Sequence, residues 1–255
     1  MITGLLIISI ISFIAVISYK RPRMEQKVFK NIPLVDWLNI LGFPPLVYLG
    51  LVLIVVNIVN RPIVPILDFE DFTIITVGIF FLMLAFVGQS IHFVSKVISR
   101  YLPANKHALE YQVNEIFHGK LSHYMVIISA LLVVFILDLL EINHPVFYSS
   151  PIGRNILIII AGVLMGFAGG KSVIYTSSWH GGYYRPIFSL VFLLFLSKTG
   201  LFYFSDLHYS NYPMNLFSYA MYISIMTVFI LRQFIIFSKL SEKRRLRFIA
   251  KLFSL

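Results

Sequence analysis

Long uninterrupted apolar stretches dominate this 255-residue chain and decide what it can fold into. A helix needs about 20 mainly apolar residues to cross the hydrocarbon core of a bilayer, where every backbone polar group must be satisfied internally. Hydrophobic residues make up 58% of the chain and charged residues only 13%, a composition that soluble domains do not have. The sequence therefore predicts an all-α, polytopic membrane helix bundle.

Seven stretches are long enough to be spans, so we expect one integral membrane domain over residues 1–255. Pro44 and Pro45 interrupt the second stretch, and residues 32–43 either lie in the membrane interface or extend that span. The predicted spans are residues 2–18, 40–60, 73–97, 121–140, 155–174, 187–204 and 213–237.

The distribution of basic residues predicts the orientation, because positively charged loops stay in the cytoplasm. Sixteen Lys and Arg residues fall on one side of the seven spans, whereas the opposite loops contain only Arg61 and Arg154. We therefore expect the N-terminus outside and the C-terminus inside a bacterial-type cell membrane. The first span has its basic residues after it rather than before it, which favours an uncleaved anchor over a signal peptide.

The chain ends in a basic tail, residues 238–255, in which basic and apolar residues alternate with helical spacing. Such a tail is typical of an amphipathic helix that lies on anionic lipid headgroups. The net charge of +10 is thus expected to serve contact with lipid and not with nucleic acid. The chain has no cysteine, which excludes disulfides, thiolate ligands and thiol nucleophiles.

Histidine is concentrated on the predicted cytoplasmic side. Gln89, His92 and Lys96 share one face of span three, since residues three or four apart are neighbours on a helix. Glu115 and His118 lie on the helix that leads into span four, and they share a face that also carries His107, Tyr111, Ser122 and Ser129. A short connection joins the two spans, so the two polar faces are expected to meet.

Three kinds of site fit this arrangement, beside simple hydrogen bonding at the headgroup level. A proton or cation relay would use Gln89, His92, Lys96, Glu115, His118 and Ser122. A divalent metal site for zinc, iron or manganese would use His92, Glu115, His118, His123 and His180. A haem would be bracketed by His92 and His123.

A second candidate site lies deeper in the predicted membrane. Lys198 is well inside span six, where a charged Lys costs at least about 2.5 kcal/mol and needs a partner or water. Asp138 is the one acidic residue inside any predicted span. We therefore expect an Asp138–Lys198 pair, either as structural glue or as part of the relay path.

Span five carries a small-residue face at Gly162, Gly166 and Gly169, which is typical of close helix packing within the chain or with a partner helix. Lys171 and Arg185, at the cytoplasmic end of this span and before the next, are predicted to bind lipid headgroups.

These features favour a transporter or channel-like protein that handles a proton, a cation or a small solute. A membrane-embedded enzyme, metal-dependent or acid–base, acting on a lipid-linked substrate would use the same residues. A non-catalytic assembly subunit would instead use the glycine face and the basic tail as contacts. Desaturase histidine boxes, the zincin motif, the nucleophile elbow and the Rossmann and Walker signatures are all absent from the sequence.

Overall fold

A computed structural model describes residues 1–18, 26–102, 105, 107–147, 152–180, 184–241 and 244–245, with the backbone alone for 176–180 and 184. Most of the predicted basic tail lies outside the described residues, and so do residues 19–25 of the basic loop after the first span. The side chain of His180 also lies outside them.

Seven long helices make up the described structure, and six of them are long and apolar enough to cross a membrane. The remaining one, α1, has 17 residues and is about 26 Å long, slightly less than the hydrocarbon core of about 30 Å. The predicted all-α architecture is confirmed, with six helices that could span a membrane, whereas the seventh span and the orientation stay predictions. The helices are α1 Ile2–Ser18, α2 Leu34–Val59, α3 Asp71–Ile98, α4 Leu109–Ile142, α5 Ile152–His180, α6 Tyr184–Phe204 and α7 Pro213–Ser238.

Residues 34–43 extend the second helix. A small antiparallel hairpin, β1 Val28–Phe29 and β2 Ile32–Pro33, leads directly into α2. The residues Leu38–Gly42 form a π-helical segment, after which the regular segment Phe43–Val59 begins with its prolines in the first turn. Pro44 and Pro45 have no backbone N–H to donate, and they lie just after the π-helical segment, where the hydrogen-bonding pattern of the helix changes.

The central helix of the bundle is α4. Half of its apolar stretch is buried, compared with 11% for α3. The α3 helix packs along α4, while α5 packs along α7 and α1 lies between α2 and α5. The molecule therefore consists of an α3–α4 pair and a five-helix group, which meet mainly where α4 contacts α2, α5, α6 and α7.

Close packing of α5 on α7 depends on glycine. A Cβ atom added at Gly162 would lie 2.3 Å from the carbonyl oxygen of Phe217, and one added at Gly166 would lie 2.3 Å from that of Met221. At Gly169 the nearest atom would be a side-chain carbon of Ile225, at an ordinary 3.7 Å. The predicted small-residue face is thus covered by α7 of the same chain at Gly162 and Gly166.

Gly166→Ala is expected to lower the melting temperature of the detergent-purified protein, because the added methyl group forces the α5 and α7 backbones apart at a cost of about 1–3 kcal/mol. Gly169→Ala is the matched control, since its methyl group has room. Equal melting temperatures for the two variants would contradict the close crossing.

Candidate functional site

The structure brings Lys198 of α6 and Asp138 of α4 together, as the sequence predicts. Both side chains are buried, and the Lys198 Nζ atom lies 3.2 Å from Asp138 Oδ2. Lys198 Nζ also donates to the backbone carbonyl of Asn215 at 2.5 Å and to Ser218 Oγ, both at the start of α7. These three oxygens satisfy the three donors of the ammonium group.

Ser218 completes the contact between α4 and α7. Its hydroxyl group lies 2.8 Å from Asp138 Oδ1 and 2.7 Å from Asp138 Oδ2. The Asp138 carboxylate is thereby bound by a cation from α6 and a hydroxyl group from α7. It lies at the seam, by which we mean the contact between α4 and the five-helix group.

Glu141 lies one turn after Asp138, just past the predicted span 121–140, and extends this network. Its Oε1 atom pairs with Arg61, just after α2, at 2.8 Å. Its Oε2 atom accepts a hydrogen bond from the backbone N–H of Asn215 at 2.9 Å, one of the unpaired N–H groups at the start of α7. Burial, and then the negative charge of Glu141, raise the pKa of the nearby Tyr212 phenol, which stays protonated.

Asn143 and His144, directly after α4, bind the loop that connects α2 and α3. His144 Nε2 lies 2.8 Å from Asp71 Oδ2 at the start of α3, and its Nδ1 lies 3.2 Å from the Arg61 carbonyl oxygen. The Asn143 side-chain oxygen accepts hydrogen bonds from the backbone N–H groups of Ile66 and Leu67. We name this group the acidic-end network: Arg61, Asp71, Asp138, Glu141, Asn143, His144, Lys198, Asn215 and Ser218.

Three histidines form a cluster at the opposite end of α4. The ring centroids of His92 and His118 are 4.7 Å apart with the rings stacked, and those of His92 and His123 are 4.7 Å apart in an edge arrangement. The centroids of His118 and His123 are 6.1 Å apart. The predicted meeting of the polar faces of α3 and α4 is therefore present in the structure, and we name it the histidine cluster.

A π-helical segment explains why His123 belongs to the cluster. On a regular helix His123 would lie away from the stripe that carries His118. Residues Ile116–Leu121 are π-helical, and the Ser122 backbone N–H bonds the carbonyl of Phe117, five residues earlier. Because this wider turn closes over five residues instead of four, it turns His123 toward α3.

The remaining relay candidates have different contacts. Glu115 Oε1 lies 3.8 Å from His118 Nδ1, and Ser122 Oγ donates to the His118 carbonyl oxygen at 2.6 Å. Gln89 donates to the backbone carbonyl of Asn39 at 2.9 Å. The contacts of Glu115 and Ser122 thus lead to the histidine cluster, whereas the Gln89 side chain is bound by α2.

Lys96 also binds α2. Its Nζ atom lies 2.5 Å from Oδ1 of Asp36, a buried carboxylate that the sequence analysis did not single out. Arg100 pairs with the other oxygen of Asp36. These ion pairs join the end of α3 to the first turn of α2.

The predicted metal site gains no support from this geometry. Within the described part of the chain, no three His, Asp or Glu side chains are arranged to hold a metal ion. Ring nitrogens lie in the plane of the imidazole, so the stacked rings of His92 and His118 do not point their lone pairs at a common atom. The His92 and His123 rings are in contact, which leaves no room for a haem between them.

The predicted headgroup ligands lie at the same end as the histidine cluster. Lys171 Nζ is 5.8 Å from the ring centroid of Phe167 and 5.5 Å from that of Tyr175, which is consistent with a lysine at a membrane interface. Arg185 is exposed at the start of α6. Binding of lipid headgroups by these two residues stays a prediction.

Removing one charge of the Asp138–Lys198 pair is expected to destabilise the protein more than removing both. Asp138→Asn leaves Lys198 buried without a counter-charge, which costs about 3–5 kcal/mol, whereas neutral replacement of both partners is often tolerated. The melting temperature of the purified D138N variant should therefore lie below that of D138N/K198M. The reverse order would show that the pair carries no buried charge interaction.

Comparison of the chain with protein-family models, with curated proteins and with solved structures finds no match.

Proposed function

We propose that the protein transports a proton or a small cation along the seam between α4 and the five-helix group. The observation that carries this proposal is the buried Asp138–Lys198 pair, which lies at this seam and within the helices. Ionisable groups inside a membrane are costly, face the protein interior and typically mark ion pathways or proton relays. The pair is therefore better explained by a path for charge than by packing alone.

The titratable groups lie at both ends of α4. The histidine cluster and Glu115 lie at its start, and Asp138 and Glu141 lie near its end. Between Ser122 and Asp138, Ser129 is the single buried polar side chain of this fully described helix, among buried Leu131, Val133, Val134 and Leu137. A continuous polar path is thus interrupted in the middle, which favours a transporter that changes shape over an open channel.

Polar contacts between the α3–α4 pair and the five-helix group support the same mechanism, because the ion pairs that join the two groups lie at the two ends. The Asp138–Lys198 and Glu141–Arg61 pairs join them at one end, and the Asp36–Lys96 pair joins them at the other. Between the ends α4 contributes mainly apolar side chains to the contact, so the two groups can rock against each other when one set of ion pairs opens.

The other two functions predicted from the sequence have less support. An assembly subunit was expected to use the glycine face, but α7 already covers Gly162 and Gly166. A metal-dependent enzyme would need converging ligands, and the described residues offer none. The transporter proposal uses both polar sites of the molecule.

The first test is proton or cation flux in liposomes that contain the purified protein, followed with a pH-sensitive dye under an imposed ion gradient. The D138N/K198M variant should retain its fold and show less than about a tenth of the parent flux, a rise in the barrier of about 1.4 kcal/mol or more. Asp68→Asn is the matched control, because Asp68 is exposed in the loop between α2 and α3. Parent-level flux in the double variant would refute a path through this pair.

The second test addresses the histidine cluster. Glu115→Gln keeps the size of the side chain but removes its charge beside His118, so it should slow flux while protein abundance stays unchanged. Glu110→Gln, an exposed position five residues earlier on α4, is the control and should transport at the parent rate. If both variants transport alike, Glu115 lies off the path.

A further inference from the structure

The Lys198 ammonium group occupies a cage of oxygen atoms. Its neighbours are a carboxylate oxygen of Asp138, the carbonyl oxygen of Asn215 and the hydroxyl oxygen of Ser218. Carboxylate, carbonyl and hydroxyl oxygens are the ligands that hard cations prefer in proteins. The tethered ammonium group therefore stands where a free cation of one positive charge would be bound.

Two further oxygens on α7 are buried and have no hydrogen-bond partner within the described part of the chain: Asn215 Oδ1 and the Tyr222 hydroxyl group. The orientation of the Asn215 amide is fixed, because its nitrogen donates to the Asp138 carbonyl at 3.0 Å and to Glu141 Oε2 at 3.3 Å. Tyr222 lies one helical turn after Ser218, on the same face of α7. Unpaired buried acceptors are costly, which makes these two oxygens further candidate ligands for an ion held beside Asn215 and Ser218.

The charges indicate which cation fits. Glu141 is already paired with Arg61, so Asp138 supplies the single uncompensated negative charge once Lys198 is set aside. A monovalent ion balances that charge, whereas a divalent ion would leave a buried net positive charge.

We propose that this cage is a binding site for an alkali cation, K⁺ or Na⁺, and that the ion and the Lys198 ammonium group occupy it alternately. The proposal rests on the transport function proposed above and names its substrate class. Because the cage holds one positive charge at a time, arrival of the ion displaces the lysine, and return of the lysine releases the ion.

Lys198→Ala tests the cage directly, since it vacates the ammonium position and leaves the oxygens in place. Thermal unfolding of the purified K198A variant is measured in KCl, NaCl and choline chloride at one ionic strength. We expect a saturable rise in melting temperature of a few degrees in K⁺ or Na⁺ over choline. The rise should be absent in K198A/D138N. It should be much smaller in the parent protein, where the lysine competes, and equally small in Lys171→Ala, which keeps Lys198.

A K198A variant that responds equally to all three salts would overturn the cage, whatever the flux assay shows. If K198A does not accumulate in cells that are rich in K⁺ while K198A/D138N does, the proposal is overturned as well, because a bound ion should replace the missing charge. Cation-specific stabilisation without any flux in the parent protein would leave the cage in place and refute only the transport function.

Discussion

The burial of Asp138 and Glu141 on the central helix is the constraint on which the rest of the bundle depends. A carboxylate in a low-dielectric interior is tolerated only with a counter-charge and hydrogen bonds. Lys198 comes from α6, Arg61 from the end of α2, and the backbone N–H of Asn215 from the first turn of α7. The polar partners of these two carboxylates therefore fix the axial position and the rotation of three helices relative to α4.

The helices and the Asp138–Lys198 pair could be predicted from the sequence for the same physical reason. Long apolar stretches form helices in a bilayer, because only a helix satisfies their backbone polar groups internally. Two opposite charges inside such stretches have few available partners other than each other. Glu141 and Arg61 fall just outside the predicted spans, because an apolar window ends at the first charges and gives no sign that Glu141 is buried. Asn215 and Ser218 are neutral, so nothing in the sequence distinguished them from other polar residues near a helix end.

The end of the bundle that holds the histidine cluster shows a different limit of prediction from sequence. Sequence spacing places residues on helix faces by assuming 3.6 residues per turn, and both α2 and α4 depart from that value in π-helical segments. The departure in α4 brings His123 to His92, and the one in α2 precedes Pro44 and Pro45. The partner of Lys96 was unexpected because Asp36 lies in the part of the chain that the prolines left ambiguous.

The sequence separation within the acidic-end network has a consequence for how the protein is made. Asp138 precedes Lys198 by 60 residues and Ser218 by 80, so α4 leaves the ribosome well before its main counter-charge and its hydroxyl partner exist. Arg61 and Asp71 are by then already synthesised. During biogenesis Asp138 can therefore be paired only after α6 has been synthesised, and the end of α4 reaches its final polar contacts only with the last two helices.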